Sequence, residues 1–415
     1  MDAGDQSLSP EPDVIAAFYS DNAYPPPVAD LDAYRVQWES PERRRFEHYL
    51  MSPSLPFRED PTVLIAGCGT SQAARHAMRW PQGRVVGVDV AESSLRYTAE
   101  LQVQHRLDNL ELHQLPIERV GELGLSFDVI VCTGVLHHLV DPLLGLTALT
   151  EVLAPTGAIQ LMVYARYGRQ GVSMLQHYAK MLSIGTTEGE LADLTSTLAE
   201  IPVRHPLAPL LHDSADFKTA EGVADALLNP RETSYSVPEL LGLIADAGLT
   251  FGRWYRQAPY LPECGVMAAT PHAPALAALP LSAQYAAMEL FRGTMTRHTL
   301  IAHTARAVAG SHRAVFQDDW RNLVPIRSPD AVTVTDHANI PSGAAGVLIN
   351  RAHTSRDLVL PVDESQARIV ASIDGVASNG ELLEMTRSDD IDSGGAFHEL
   401  MQSLWSYDQA VFAAK

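Results

Sequence analysis

Two glycines and one acid carry the clearest chemistry in this sequence. Gly67 and Gly69 follow the apolar, β-branched run Val63-Leu64-Ile65-Ala66. Such a run is expected of a strand buried on both faces of a parallel sheet, and the glycines permit a tight turn with close backbone approach to a ligand. Thr70 or Ser71 is placed to cap a helix beginning near Gln72. Strand, glycine turn and helix start together form a nucleotide cradle, walled by Ala66, Gly67, Cys68 and Gly69. A second apolar run, Arg84 to Val90, brings Asp89 and Val90 to its end. Asp89 falls about 20 residues after the turn, where a ribose diol would need a carboxylate acceptor. The dinucleotide fingerprint is incomplete, because Gln72 stands at its third glycine position. A ligand with a ribose and no phosphate fits better.

Composition narrows the field. A chain of 415 residues suggests two domains, or one core with large additions, and a hydrophobic content of 46% supplies ample core. The formal charge of −20, from 50 acids against 30 bases, argues against a nucleic-acid partner, which needs clustered Lys and Arg. The three cysteines, Cys68, Cys132 and Cys264, have no paired metal-ligand spacing and suit a reducing cytoplasm, so no metal is expected. No stretch approaches the roughly 18 apolar residues of a membrane span, and the first residues are acidic and polar where a signal peptide would be basic and then apolar. A cytoplasmic protein with no membrane partner is the expectation.

Four stretches then fall into one pattern: Leu-Ile-Ala-Gly-Cys-Gly-Thr (64–70), Val-Val-Gly-Val-Asp-Val (85–90), Phe-Asp-Val-Ile-Val-Cys-Thr-Gly-Val-Leu-His-His-Leu (127–139) and Leu-Ala-Pro-Thr-Gly-Ala-Ile-Gln-Leu (153–161). In this order and spacing they resemble the successive motifs of class I S-adenosylmethionine-dependent methyltransferases. A set of ordered motifs is far more specific than any one of them. The resemblance implies an α/β fold, a Rossmann-like seven-stranded sheet, here with a helical insertion and a small C-terminal α+β domain. Its cofactor would be S-adenosyl-L-methionine.

What the resemblance implies for individual residues follows its motifs. The turn after the third strand faces the adenine, which makes Gln114 and Leu115 candidates for its polar edge and ring face. The backbone of Thr133, Gly134 and Val135 lines the methionine half of the cofactor. His137 is placed to look into the acceptor pocket as a base, with His138 beside it; the other reading is that one of the pair is only a helix cap or a packed ring. The aromatic-rich segment from Val14 to Trp38 is the counterpart of a lid, so that Tyr19 or Tyr24 faces the sulfonium or the acceptor; plain docking of these rings to the core is the other reading. After the fifth strand, Tyr164, Arg166 and Arg169 are placed to contact an acceptor or cofactor carboxylate, or lie on a solvated surface. Tyr235 belongs to a segment, 225–240, that resembles a recurrent stretch of one methyltransferase group. Ser236 and Glu239 read as a capping box.

The expected elements are strands 62–66, 84–89, 109–113, 127–132 and 157–163, alternating with helices 71–80, 92–106 and 141–153. A mostly helical insertion spans about 170–247, a sixth strand 248–254, and an antiparallel seventh 297–305. This divides the chain into an arm and lid (1–60, the first dozen residues disordered), a methyltransferase domain (61–306) and an accessory domain (307–415). In the last, strands at 332–335 and 346–350 and helices at 364–373, 380–386 and 396–412 are expected. Residues 358–375 weakly resemble the winged-helix type of PqqD-like proteins, and a packing or dimerisation role leaves a homodimer open. The expected function is methyl transfer to an oxygen or nitrogen of a small molecule or peptide. A catalytically silent S-adenosylmethionine-binding protein acting in partner recognition is the alternative.

Overall fold

The structure, a computed structural model, describes residues 14–305, 307, 316, 319–335, 340–386 and 394–414; the stretch expected to be disordered, 1–12, lies outside them. Three helices lead in: α1 (Val14–Asp21), α2 (Asp32–Trp38) and α3 (Pro41–Met51). Next come β1 (Thr62–Ala66), α4 (Gln72–Arg79), β2 (Arg84–Asp89), α5 (Glu92–His105), β3 (Leu110–Gln114), β4 (Phe127–Thr133), α6 (Pro142–Glu151) and β5 (Leu153–Tyr164). The insertion holds α7 (Gln170–Met181), α8 (Glu188–Ala199), α9 (Ala208–Asp213), α10 (Ala220–Leu228) and α11 (Val237–Asp246). Then follow β6 (Leu249–Trp254), α12 (Ala273–Ala277), α13 (Leu281–Arg292) and β7 (Arg297–Thr304).

These strands form one seven-stranded sheet in the order β3-β2-β1-β4-β5-β7-β6. β1 pairs parallel to both β2 and β4, with Leu64 opposite Val86 on one side and Ile130 on the other. β7 runs antiparallel between β5 and β6, as its alternating sequence leads one to expect. The wholly apolar runs sit where both faces are covered: Leu64, Ile65, Val86, Ile130 and Ile159 are completely buried. Strand order reverses between β1 and β4, and a doubly wound sheet binds ligands at the carboxyl ends of the strands there.

The insertion has its own apolar centre, where Val172 and Leu175 of α7 meet Leu194 and Leu198 of α8 and Val223 and Leu227 of α10. The C-terminal part contains β8 (Val324–Arg327), β9 (Ala331–Val334), β10 (Gly346–Asn350), β11 (Val359–Val362), α14 (Glu364–Ala371), α15 (Asn379–Met385), α16 (Gly394–Ser406) and β12 (Ala410–Ala413). β9, β10 and β11 make an antiparallel sheet, and β12 pairs with β8 as a separate ribbon.

The expected helix 396–412 therefore stops early. Asp408 takes a left-handed φ of +55° that turns the chain, and Ala410-Val411-Phe412-Ala413 continues as a buried strand. Four apolar residues carry no periodicity that separates a strand from a helix end. Among the described residues no helix is long and apolar enough to cross a membrane.

Candidate functional site

A cavity of about 500 Å³ opens at the carboxyl ends of β1, β2 and β4. Two others, of about 620 Å³ each, lie away from this edge, one against α14 and α16 and one between α2 and the end of α5. The position at the strand-order reversal, not size, marks the first as the site.

Its floor is the glycine turn. Gly67 and Gly69 have φ of +71° and +54°, in the left-handed region that favours glycine. A Cβ on Gly67 would lie 2.3 Å from Val135 Cγ2, so the turn is also too tight for a side chain. The Asp89 carboxylate closes the floor, accepting the Gly69 N–H on Oδ2 (2.8 Å) and the Ala91 N–H on Oδ1 (2.9 Å). Each oxygen keeps a lone pair for a further donor. Burial pushes the Asp89 carboxyl above its ordinary pKa, against the pull of the Ala91 and Gly69 N–H groups. Neither expected cap forms: Ser71 makes no side-chain cap bond, and the Thr70 hydroxyl donates instead to the Pro25 carbonyl at 2.8 Å. Thr70 thereby holds the arm over the turn. Gln72, the residue that breaks the dinucleotide fingerprint, donates from Nε2 to Thr133 Oγ1 at 2.7 Å and ties α4 to the end of β4.

The arm forms the roof. Pro25 Cδ would lie 3.4 Å from a Cβ on Gly69. Tyr19 donates to Asp225 Oδ1 at 2.7 Å, and Tyr24 donates to Asp216 Oδ1. Both acids come from the insertion, so arm and insertion meet across the mouth of the cavity. The far wall carries Tyr164 and His138. Tyr164 donates to Asp225 Oδ2 at 3.3 Å, and His138 Nδ1 lies 2.7 Å from the Arg231 carbonyl oxygen. A carbonyl only accepts, so Nδ1 carries the proton and Nε2 of the neutral ring keeps its lone pair.

Of the residues expected at the site, Gly67, Cys68, Gly69, Asp89, Val90, Leu115, Thr133, Gly134, Val135, Tyr19, Tyr24, His138 and Tyr164 line this one cavity. The others sit elsewhere. Ala66 belongs to the apolar core beneath the turn. Gln114 is exposed and donates to the Val90 carbonyl at 3.1 Å. Arg166 pairs with Glu239 at 2.7 Å on the surface. Tyr235 is buried beside β5, its N–H bonded to the Tyr164 carbonyl at 2.9 Å.

His137 is the most consequential departure. Its ring is fully buried, tilted at 32° against Tyr164 with centroids 4.0 Å apart, and neither nitrogen has a hydrogen-bond partner. Burial, with the neighbouring His138 and Arg169, pushes its pKa far below the ordinary value, so it stays neutral behind the wall. In a His-His pair one ring faces in and the next faces the cavity, and the motif alone does not say which.

Sequence reasoning missed Asp225 and Asp216, which line the cavity from the insertion, and Arg75 on α4. Helical insertions carry no motif with fixed spacing; the one available signal was Asp225 at the head of the 225–240 segment. Arg75 Nε is buried without a hydrogen-bond partner. That orphaned donor, the ribose-sized acceptor at Asp89 and the side-chain-free turn at Gly67 all fit a nucleoside bearing a carboxylate tail.

Comparison with known proteins agrees with this geometry. Residues 64–159 match the model of a methyltransferase domain family. An uncharacterized protein of Synechococcus sp. is 30% identical over 248 residues, 57% of this chain and 58% of that protein. A ubiquinone biosynthesis O-methyltransferase of Idiomarina loihiensis is 30% identical over 147 residues, 33% of this chain and 60% of the relative. The chain thus spans about six tenths of the length of these curated relatives. Among solved structures, that of PKMT2 from Rickettsia typhi in complex with AdoHcy shares the fold at a TM-score of 0.62 and 14% identity, over 91% of this chain and 76% of the other. The cradle at Gly67, Gly69 and Asp89 thus lies within residues 64–159, the stretch that matches a methyltransferase domain.

Proposed function

We propose that the protein is an S-adenosylmethionine-dependent methyltransferase whose acceptor is a small molecule or a peptide. The observation that carries this reading is the convergence of the Gly67–Gly69 turn and the Asp89 carboxylate on one roofed cavity. When bound, the cofactor supplies an electrophilic methyl group on a sulfonium. Asp89 would accept from the ribose hydroxyls, the Thr133–Val135 backbone would flank the methionine half, and Arg75 would meet its carboxylate. The arm excludes water, and the wall formed by Tyr19, Tyr164 and His138 orients the acceptor. Placement of two reactants in a dry site carries most of the acceleration such a reaction needs. His138, not His137, is the histidine able to take a proton there.

The strongly acidic balance supports an acceptor other than nucleic acid. Three buried, unpaired cysteines support a cytoplasmic setting. Isothermal calorimetry with S-adenosylmethionine tests the site. Tight binding to the wild-type chain and weakened binding to Asp89→Ala are expected, and equal affinity for both would count against the reading. A mass-shift screen with methyl-deuterated cofactor then reads transfer directly.

A further inference from the structure

Among the described residues, the carboxylate at the acceptor end of the cavity has no direct ion-pair partner, although His138 and Arg169 act on it through their charge. Asp225, on α10, is 2% exposed and lines the cavity. Its donors are all neutral: Tyr19 Oη at 2.7 Å, Tyr164 Oη at 3.3 Å and Asn229 Nδ2 at 3.4 Å. Among the described residues no Lys or Arg forms an ion pair with it. Arg169 acts on it electrostatically but is committed to Glu232 at 3.0 Å, and Arg297, which shares the cavity, is exposed. Burial raises the Asp225 pKa despite the opposing effects of His138 and Tyr19. A buried carboxylate without a cation is costly, and a site tolerates it where the ligand brings the cation. The rings of Tyr19 and Tyr24 share that space, and aromatic faces attract cations, whereas the Tyr164 ring already carries the Arg169 guanidinium 3.5 Å from its centroid.

Resting on the methyltransferase reading above, we propose that the acceptor is an amine, entering as its ammonium form and held by Asp225 among these rings. His138 completes the arrangement, since its Nδ1–H is committed to the Arg231 carbonyl and Nε2 presents the lone pair. One N–H bond of the ammonium breaks, the proton passes to His138 Nε2 and then to solvent, and the neutral amine keeps the electron pair that a methyl acceptor needs. An alcohol leaves the buried charge of Asp225 uncompensated, and a carboxylate is repelled by it.

The test compares isosteric probes on the full chain saturated with S-adenosylhomocysteine: n-hexylamine, n-hexanol and n-hexanoate, with affinities read by saturation-transfer NMR titration at neutral pH. Hexylamine should bind at least about tenfold more tightly than either of the others, a discrimination of about 1.4 kcal/mol. Asp225→Asn, which keeps an acceptor oxygen for Tyr19, should lower hexylamine affinity by about the same factor and leave hexanol unchanged. Equal affinities for the three probes, absent hexylamine binding, or an amine affinity unmoved in the variant would overturn the proposal. Should the variant fail to fold, the wild-type comparison decides alone. Calorimetry of S-adenosylhomocysteine on the same preparation separates the two levels. A saturated cofactor site without amine preference refutes the amine alone, whereas a chain that binds no S-adenosylhomocysteine refutes the reading beneath it.

Discussion

At the scale of single residues, the site depends on one carboxylate doing two jobs. Asp89 holds the glycine turn through the Gly69 and Ala91 N–H groups and keeps acceptor capacity that the proposed reading gives to a ribose. Hydrogen bonds to a charged acceptor contribute about 1.5–3 kcal/mol each, so Asp89→Ala should weaken cofactor binding by roughly ten- to a hundredfold or more. The pH dependence has a definite sign. Burial raises the Asp89 pKa above the ordinary 3.8. In the free protein its contribution to stability is therefore full below 3.8 and is lost as pH rises through the raised value. Cofactor affinity runs the other way, because it needs the ionised acceptor. It should fall with acidification at a pH above the ordinary carboxylate range, and calorimetry between pH 7 and pH 4 should show the fall in wild type and not in Asp89→Asn.

Gly67 supplies the second residue-scale prediction. Alanine there would meet a left-handed φ, costing about 1–2 kcal/mol, and would drive its methyl into Val135. Gly67→Ala should melt several degrees lower and lose most cofactor affinity, as thermal unfolding and calorimetry would show together.

At the scale of elements, the arm and the insertion form a latch over the cradle. α1 brings Tyr19 to Asp225 on α10, the following loop brings Tyr24 to Asp216, and Thr70 holds the Pro25 carbonyl. Tyr19→Phe removes one neutral hydrogen bond to a buried carboxylate and leaves it less satisfied, at a cost of about 1–3 kcal/mol. The arm should open more often in this variant. Limited proteolysis within residues 14–30 should accelerate several-fold, and added S-adenosylhomocysteine should restore protection more weakly than in wild type.

Strands and cradle were legible in the sequence because their signals are local. β1, β2 and β10 begin and end where the apolar runs do, and β7 betrays itself by alternation. The latch was not legible, because Tyr19 and Asp225 stand 206 positions apart and nothing near either residue encodes the other. β8, β11 and β12 escaped for a related reason. Each is four residues long and is strand only because a partner from elsewhere in the chain pairs with it.

At the scale of the whole molecule, the C-terminal part is joined to the sheet through a buried polar centre. Asp408, 4% exposed, accepts from Arg253 Nη2 (3.0 Å), from the Gln257 and Ala258 N–H groups (3.2 and 3.0 Å) and from His353 Nε2 (3.0 Å). Around it one apolar cluster runs without a break from Trp254 and Tyr260 to Phe397 and Leu404. α3 is wedged between the two sides, its Phe46 and Leu50 sharing a cluster with Ala158 and Ile301 of the sheet and with Val324 and Val411 of the ribbon. The proposed boundary near residue 306 thus divides the chain's order but not its core, and a chain ending there would bare the Trp254 and Tyr260 surface. Burial alone would raise the Asp408 pKa, yet the His353 hydrogen bond and the charge of Arg253 outweigh it and hold the carboxyl below 3.8. A depressed carboxyl gives stability that is full above 3.8 and lost as pH falls through the lowered value. Asp408→Asn leaves Arg253 buried against a neutral partner, at a cost of about 3–5 kcal/mol. Urea unfolding of this variant at pH 7 should show that loss, as an early transition or a lowered midpoint, and the gap to wild type should narrow as the pH drops below 3.8. A variant as stable as wild type at pH 7 would mean that the Asp408 centre does not hold the two parts together, leaving that to their apolar contacts and to other links such as the Arg292–Asp357 pair.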